Sequence, residues 1–280
     1  MELRLDPTFD IRSGRRTIRF DSSIFPGGEP HIRILDEVGP SDEVLITHRI
    51  NSFNDLGLLL IAVDALHRMR VDDISLVLPY FPAARQDRVM TPGESLSCKV
   101  YADLINGLGL EEVIIFDPHS DVVPALLDRC TVVPNHAFVA AVVKRLATLP
   151  LLISPDGGAL KKIHGLAKQL GGVPVLECGK SRDVRTGALS GFTVPSDDLN
   201  GRPCLIVDDI CDGGGTFLGL ADELRKRNAG PLHLAISHGI FSKGTEVLRQ
   251  KFDRLFTTDS IRSTDEIGVE RILLGDLINS

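Results

Sequence analysis

The chain has 280 residues and is 43% hydrophobic, which is enough apolar material for one or two cored domains and excludes a disordered, collagenous or low-complexity protein. Its 31 Lys and Arg against 38 Asp and Glu give a net charge of −7, which argues against a non-specific nucleic-acid binder. No apolar run reaches the roughly 18–20 residues that cross a bilayer, and the first ten residues mix acids, Arg4 and apolar side chains unlike a signal peptide, so a cytoplasmic protein without a membrane partner is expected.

In chain order, residues 44–50 read as a strand, followed by an amphipathic helix over 54–70 and a second strand over 74–78. A helix over 95–108 leads to a strand over 113–117. A helix over 136–146 precedes a strand over 151–154, and a helix over 159–170 precedes one over 173–178. Residues 204–207, 232–237 and 254–257 read as further strands, with a helix over 216–227 and a short last strand over 269–274. Strands with little alternation, separated by long helices, predict parallel sheets covered on both faces. Six or more such units exceed one small sheet. Two α/β domains are expected, 1–135 and 136–280, with the segment from Thr131 to His136 as the switch between them.

In open α/β sheets ligands sit beyond the carboxyl ends of the strands. The residues in those places are 79–88, 117–121, 155–158, 179–185 and 208–216, and all five stretches are loaded with charge, His or Gly. The strongest is Val207-Asp-Asp-Ile-Cys-Asp-Gly-Gly-Gly-Thr216. An apolar strand ends in Asp208 and Asp209. Asp212 then precedes Gly213, Gly214 and Gly215, and Thr216 opens a helix. Glycines let backbone amides approach an anion, the helix start favours negative charge, and the paired acids can accept from the hydroxyls of a ribose. The bland alternative is a tight turn capped by an Asp. Arg85 and Arg88, beside Gln86 and Asp87, form a second cluster suited to phosphate oxygens; the alternative is a solvated surface group. The five cysteines are odd in number with no CxxC pair, which argues against a disulfide framework. Gly179-Lys-Ser181 imitates the end of a Walker A loop, but Pro174 stands where that loop needs glycine, and no GxGxxG occurs.

The loop from Val207 to Thr216 resembles the phosphoribosyl-diphosphate loop of type I phosphoribosyltransferases and of ribose-phosphate diphosphokinases. Leu78-Pro-Tyr-Phe-Pro-Ala-Ala-Arg-Gln-Asp-Arg88 resembles the ATP-binding signature of the diphosphokinases, which simple phosphoribosyltransferases lack. Phe116-Asp-Pro-His-Ser120, Ser154-Pro-Asp-Gly-Gly158 and Gly179-Lys-Ser-Arg182 resemble further segments of that family, in its order. So does Phe25-Pro-Gly-Gly-Glu29.

The resemblance implies two phosphoribosyltransferase-like α/β domains with the active site between them. It also implies transfer of the diphosphoryl group of MgATP to the 1-hydroxyl of ribose 5-phosphate. By the same resemblance Phe25, Glu29, Arg85, Gln86, Asp87, Arg88 and His119 bind ATP, Phe25 and Glu29 reaching a neighbouring subunit's nucleotide, so a homodimer or higher homo-oligomer is expected. Asp208, Asp209, Asp212, Gly213, Gly214, Gly215 and Thr216 hold the sugar phosphate. Lys180 and Arg182 are catalytic, on a segment from Gly179 to about Asn200 that contains Gly187, Ser190 and Gly191 and reads as a lid. His119 and Asp156 contact Mg²⁺.

Three departures qualify this picture. Gly27 replaces an Asp. The stretch 89–97 replaces an Arg-rich one and implies weak allosteric control. Gly213 replaces a Thr, which opens space around the 5-phosphate and raises the alternative of a larger acceptor such as ADP-ribose, as in NAD salvage. A catalytically silent family member and a base-transferring phosphoribosyltransferase are the other readings.

Overall fold

The computed structural model describes residues 1–157, 160–182, 189–263 and 266–278; for 160, 161, 180–182, 189 and 190 it describes the backbone alone. The chain divides into two compact units, Met1–Pro134 with Ser260–Ser263 and Leu273–Ser280, and Asn135–Asp259 with Thr264–Ile272. The sequence placed all of 136–280 in one domain. The returning segments are held in the first unit by Arg12 pairing with Asp276 and by Ser263 Oγ, which accepts from Arg49 at 2.7 Å.

The first unit is built on β1 (Glu2–Arg4), β4 (Val44–Thr47), β5 (Ile74–Leu78), β6 (Glu112–Phe116) and β7 (Cys130–Val133), parallel and in the order β1-β4-β5-β6-β7. The strands follow one another across the sheet in one direction. Ile46, Ile74, Leu76 and Leu78 are buried, so the central strands have the apolar character of a sheet with little open face. Between the strands run α1 (Phe53–Arg68), α2 (Ser97–Asn106) and α3 (Val122–Leu126). Helix α1 starts where Ser52 caps it by accepting from the Asp55 amide at 3.2 Å, and it buries Leu56, Leu59, Val63 and Leu66, an i, i+3, i+4 stripe. A separate antiparallel hairpin, β2 (Phe20–Ile24) with β3 (Pro30–Ile34), lies between β1 and β4.

The second unit holds β8 (Leu151–Ser154), β9 (Val175–Glu177), β12 (Cys204–Cys211), β13 (Leu232–Gly239), β14 (Arg254–Thr258) and β15 (Val269–Ile272), all parallel, in the order β15-β14-β13-β12-β8-β9. The chain moves outward from β8 to β9 and then returns to place β12 on the other side of β8. This reversal opens a crevice at the carboxyl ends of β8 and β12. Around the sheet stand α4 (His136–Arg145), α5 (Leu160–Gln169), α6 (Gly215–Lys226) and α7 (Glu246–Lys251). Helix α8 (Gly275–Ile278) returns to the first unit. A second antiparallel ribbon pairs β10 (Gly179–Arg182) with β11 (Leu189–Thr193). No helix among the described residues is long and apolar enough to cross a membrane.

The boundary between the units, Pro134 to Asn135, falls within the segment 131–136, whose first residues belong to β7, an edge strand of the first sheet. The strand read over 204–207 continues to Cys211. Main-chain pairing with β13 carries on through Asp208 and Ile210, opposite Ile236 and His238, after the apolar run has ended. The paired acids therefore sit inside a strand, not beyond it. The segment after Cys178, expected as a lid with a hairpin as the alternative, begins as a strand of the β10–β11 ribbon, and residues 183–188 lie outside the described residues.

The β10–β11 ribbon meets α6 at Gly219. A Cβ there would lie 2.5 Å from Phe192 Cε2, so glycine in mid-helix is retained for close approach. An ordinary Gly→Ala change in a helix gains about 1 kcal/mol. Here Gly219→Ala is expected to gain nothing and to lower the melting temperature by a few degrees, whereas the same change beside Phe192→Leu recovers it; thermal melts of the three variants check this.

Among the described residues, two histidines are buried with an unpartnered Nδ1, His48 and His233. His48 donates Nε2–H to the Asp55 carbonyl at 3.0 Å. Burial lowers the pKa of both below the ordinary histidine value. A lowered native pKa means that below about pH 6.5 the unfolded chain takes up protons that the folded chain refuses. Stability contributed by the neutral rings is complete above that pH and falls as pH drops through the lowered values. Melting temperatures between pH 7.5 and 5 should decline, and the His48→Gln/His233→Gln double variant should show a flatter profile.

Candidate active site

In the first unit the candidate residues converge at the carboxyl ends of β5 and β6. After Leu78 the chain turns through buried Phe81 and Ala84, with Ala83 at φ 57° and the Gln86 amide bonded to the Ala83 carbonyl at 2.8 Å. This compact turn leaves Arg85, Gln86 and Arg88 exposed and draws Asp87 inward. Arg88 Nε donates to Asp87 Oδ1 at 3.0 Å. That hydrogen bond, aided by Ser120 and by the nearby His119 and opposed by burial, holds the Asp87 carboxyl below the usual carboxylate range. Asp87 thus links the β5 loop to the β6 loop. The bland alternative of a solvated cluster does not describe a buried carboxylate at its centre.

The β6 loop is itself constrained. Asp117 is buried, has φ 38° and precedes a proline, a combination that sterics disfavour. Its amide bonds to the Val133 carbonyl at 2.9 Å. Strain of this kind costs on the order of 1–3 kcal/mol and clusters at functional positions. It leaves His119 exposed at the rim.

Phe25 and Glu29 sit on a different element, the tip of the β2–β3 hairpin, closed by the Phe25 amide donating to Glu29 O at 2.8 Å. Both are exposed, and Phe25 lies 5.4 Å from His31, ring centre to ring centre. The Glu29 carboxylate folds over Gly27, where a Cβ would stand 2.5 Å from Oε2.

In the second unit the candidates gather at the β8–β12 reversal. Ser154 Oγ donates to the Asp156 carbonyl at 2.9 Å and shapes the turn after β8. Asp208 and Asp209 are partly buried, and Asp208 Oδ1 accepts the Asp209 amide at 3.0 Å. Burial first, then Asp209, and then Asp156 across the turn raise the Asp208 carboxyl well above the usual range. The three acids therefore share one electrostatic environment.

Beyond them, Gly214 is the N-cap of α6 with φ 77°, the left-handed region that glycine enters without cost. As N-cap, Gly214 brings no side chain to the first turn of the helix, an arrangement suited to an oxyanion. Asp212 accepts from Ser242 Oγ in the β13 loop and so ties the glycine loop to it. Cys211 is buried, and burial, with Asp208 and Asp212 adding, pushes its thiol up to about 12, so it is inert as a nucleophile.

Lys180 and Arg182 lie on β10, facing Phe192 and Leu189 in register, with a register shift between Ser181 and Arg182. Gly158, Arg185 and Gly187 lie outside the described residues.

Residues 11–109 match the sequence family described as the N-terminal domain of ribose phosphate pyrophosphokinase, and residues 146–270 match the phosphoribosyl transferase domain. The ribose-phosphate pyrophosphokinase of Bradyrhizobium diazoefficiens is 34% identical over 252 residues, covering 87% of this chain and 78% of the relative. That of Rhizobium meliloti is 33% identical, covering 91% and 82%. The chain belongs to the ribose-phosphate pyrophosphokinase family. The crystal structure of phosphoribosylpyrophosphate synthetase from Mycobacterium smegmatis shares the fold, with a TM-score of 0.86 at 24% identity over 99% of this chain and 95% of that one. In this pyrophosphokinase-family chain the matched domains carry the two clusters separately: Arg85–Arg88 in the first match and Asp156 with Asp208–Thr216 in the second.

Sequence reasoning missed Ser242, which ties the glycine loop to the β13 loop, and Phe241, held at φ 47° with its amide on the Cys211 carbonyl at 3.0 Å. A strained Phe in a loop has no sequence signature.

Proposed function

We propose that this protein transfers the diphosphoryl group of ATP to the 1-hydroxyl of ribose 5-phosphate, giving phosphoribosyl diphosphate and AMP. The anomeric oxygen bonds to the β-phosphorus, the bond from that phosphorus to the bridging oxygen of AMP breaks, and the hydroxyl proton leaves to solvent. The observation that carries this reading is the glycine-built start of α6 beside the Asp208–Asp209 pair at the sheet reversal. The amides of Gly215 and Thr216 hold the 5-phosphate, and the paired acids accept from the ribose 2- and 3-hydroxyls. Arg85, Gln86, Asp87, Arg88 and His119 bind ATP. Lys180 and Arg182 offset charge on the moving diphosphoryl group, the main lever in phosphoryl transfer.

Mg²⁺ fits the donors present. Among the described residues no group of three His, Cys, Asp or Glu side chains is placed to hold a metal alone. Mg²⁺ commonly keeps its waters and takes one or two protein ligands plus substrate phosphates. By the family resemblance His119 and Asp156 are the residues that would contact it. Bound with the triphosphate, it would neutralise charge on the phosphate oxygens.

Phe25 and Glu29, exposed at the hairpin tip, are assigned to a neighbouring subunit's nucleotide, so the working unit is at least a homodimer. The relatives' names point to ribose phosphate as acceptor and lend nothing to ADP-ribose or to a silent member. Incubation with ATP, Mg²⁺ and ribose 5-phosphate or ADP-ribose, with AMP and products read by mass spectrometry, tests the reading. AMP release with ribose 5-phosphate supports it; release without sugar, or only with ADP-ribose, overturns it.

A further inference from the structure

Gly213 offers no side chain to a bound anion, and a side chain from elsewhere borders the place a Cβ would take. Lys243, in the loop after β13, places Cδ and Cε each 3.4 Å from where a Cβ on Gly213 would stand. The loop is fixed there by the chain itself. The Ile240 and Phe241 amides donate to the Cys211 carbonyl at 2.9 and 3.0 Å, the Ser242 amide donates to the Asp212 carbonyl at 3.2 Å, and Ser242 Oγ bonds to Asp212 Oδ1. The Gly244 amide closes the turn on the Phe241 carbonyl at 2.9 Å.

Lys243 is therefore laid along the glycine loop by its aliphatic stem, with the ammonium one bond beyond Cε. Lysine commonly buries its stem on neighbouring atoms while keeping its charge in water. Here the stem lies on the loop that opens α6, and among the described residues the ammonium forms no ion pair.

A cation laid by its stem on the glycine loop that opens α6 is matched to a dianionic group. We infer that Lys243 is a specificity-determining residue for the acceptor: its ammonium binds the 5-phosphate of the sugar and supplies the charge-assisted contact that Gly213 does not make. The inference rests on the reading of the α6 start as the sugar-phosphate cradle. An ordinary solvated lysine would share neither the fixed loop nor the contact with Gly213.

Steady-state AMP release measured with ribose 5-phosphate, and with ribose as the acceptor lacking the phosphate, tests it. In Lys243→Ala the KM for ribose 5-phosphate should rise about tenfold to a hundredfold, the range of one hydrogen bond to a charged group. KM for ATP should stay within about twofold, and the preference for ribose 5-phosphate over ribose should shrink by the same factor. Lys243→Arg should retain most of the affinity. Gly213→Thr/Lys243→Ala, which vacates the stem's space and adds a hydroxyl donor, should recover part of the loss. An unchanged KM for ribose 5-phosphate in Lys243→Ala, or an equal rise in KM for ATP, overturns the inference. The parent reading fails separately, if the unsubstituted enzyme releases no AMP with either sugar.

Discussion

Replacing Lys180 by alanine should lower kcat for AMP release by about a hundredfold to a thousandfold while KM for ATP and for ribose 5-phosphate moves only a few-fold. A positioned cation that meets charge only as it develops contributes to the transition state and little to ground-state binding. Lys180 is one residue into β10, and a β-ribbon gives such a cation a defined backbone. Lys180→Arg should be poorer than the parent, because a planar guanidinium does not reproduce a compact ammonium. A loss confined to KM would show that Lys180 binds substrate and nothing more, and the assigned role would fall.

The second large effect concerns stability. Arg49 is buried at the end of β4 and donates Nε to Asp6 at 2.7 Å, and its NH2 group donates to Thr8 Oγ1 at 2.8 Å and to Ser263 Oγ at 2.7 Å, with its guanidinium 5.1 Å from the Phe9 ring centre. Burial opposes ionisation of Asp6, but the hydrogen bonds from Thr8 and the charge of Arg49 outweigh it and hold its carboxyl below the usual range. Removing Arg49 leaves a partly exposed carboxylate without its cation and two hydroxyls without their donor. Arg49→Ala should cost about 2–4 kcal/mol, less than for a fully buried pair, a fall of several degrees in melting temperature. Arg49→Met/Asp6→Leu should cost less than Arg49→Ala alone, because neither charge is then left behind. Calorimetry of the variants checks this; equal costs would mean that lost packing dominates.

The central strands and their helices are legible in the sequence because burial wrote them there. Residues 74–78 and 151–154 are strands over the spans the apolar runs give. The edges are not legible for the same reason. Strand β1 is three residues, two of them charged, and its Glu2 is buried only because Arg4, Ser13 and Thr47 satisfy it. The β2–β3 hairpin has almost no buried face, so no alternation marks it. Strand β12 outlasts its hydrophobic run because hydrogen bonding to β13 needs only a backbone.

At the site, the charged and glycine-rich loops announce themselves by composition. What composition hides is which carboxylate serves the loop and which serves the protein. Asp87 is bonded to Arg88 and Asp212 to Ser242, contacts that brace the two loops and that composition alone does not show. Lys243 carried no signal at all, since an exposed lysine in a loop is common and only the missing Cβ of Gly213 reveals its contact.

The first sheet advances from β1 through β4, β5 and β6 to β7 without turning back, whereas the second reverses at β8. A sheet that never reverses opens no crevice of its own, so the proposed donor contacts hang on three connections: the loops after β5 and β6 and the turn between β2 and β3. Transplanting those three from a relative with another base preference would re-address the donor, and the crossover that cradles the sugar would not register the change.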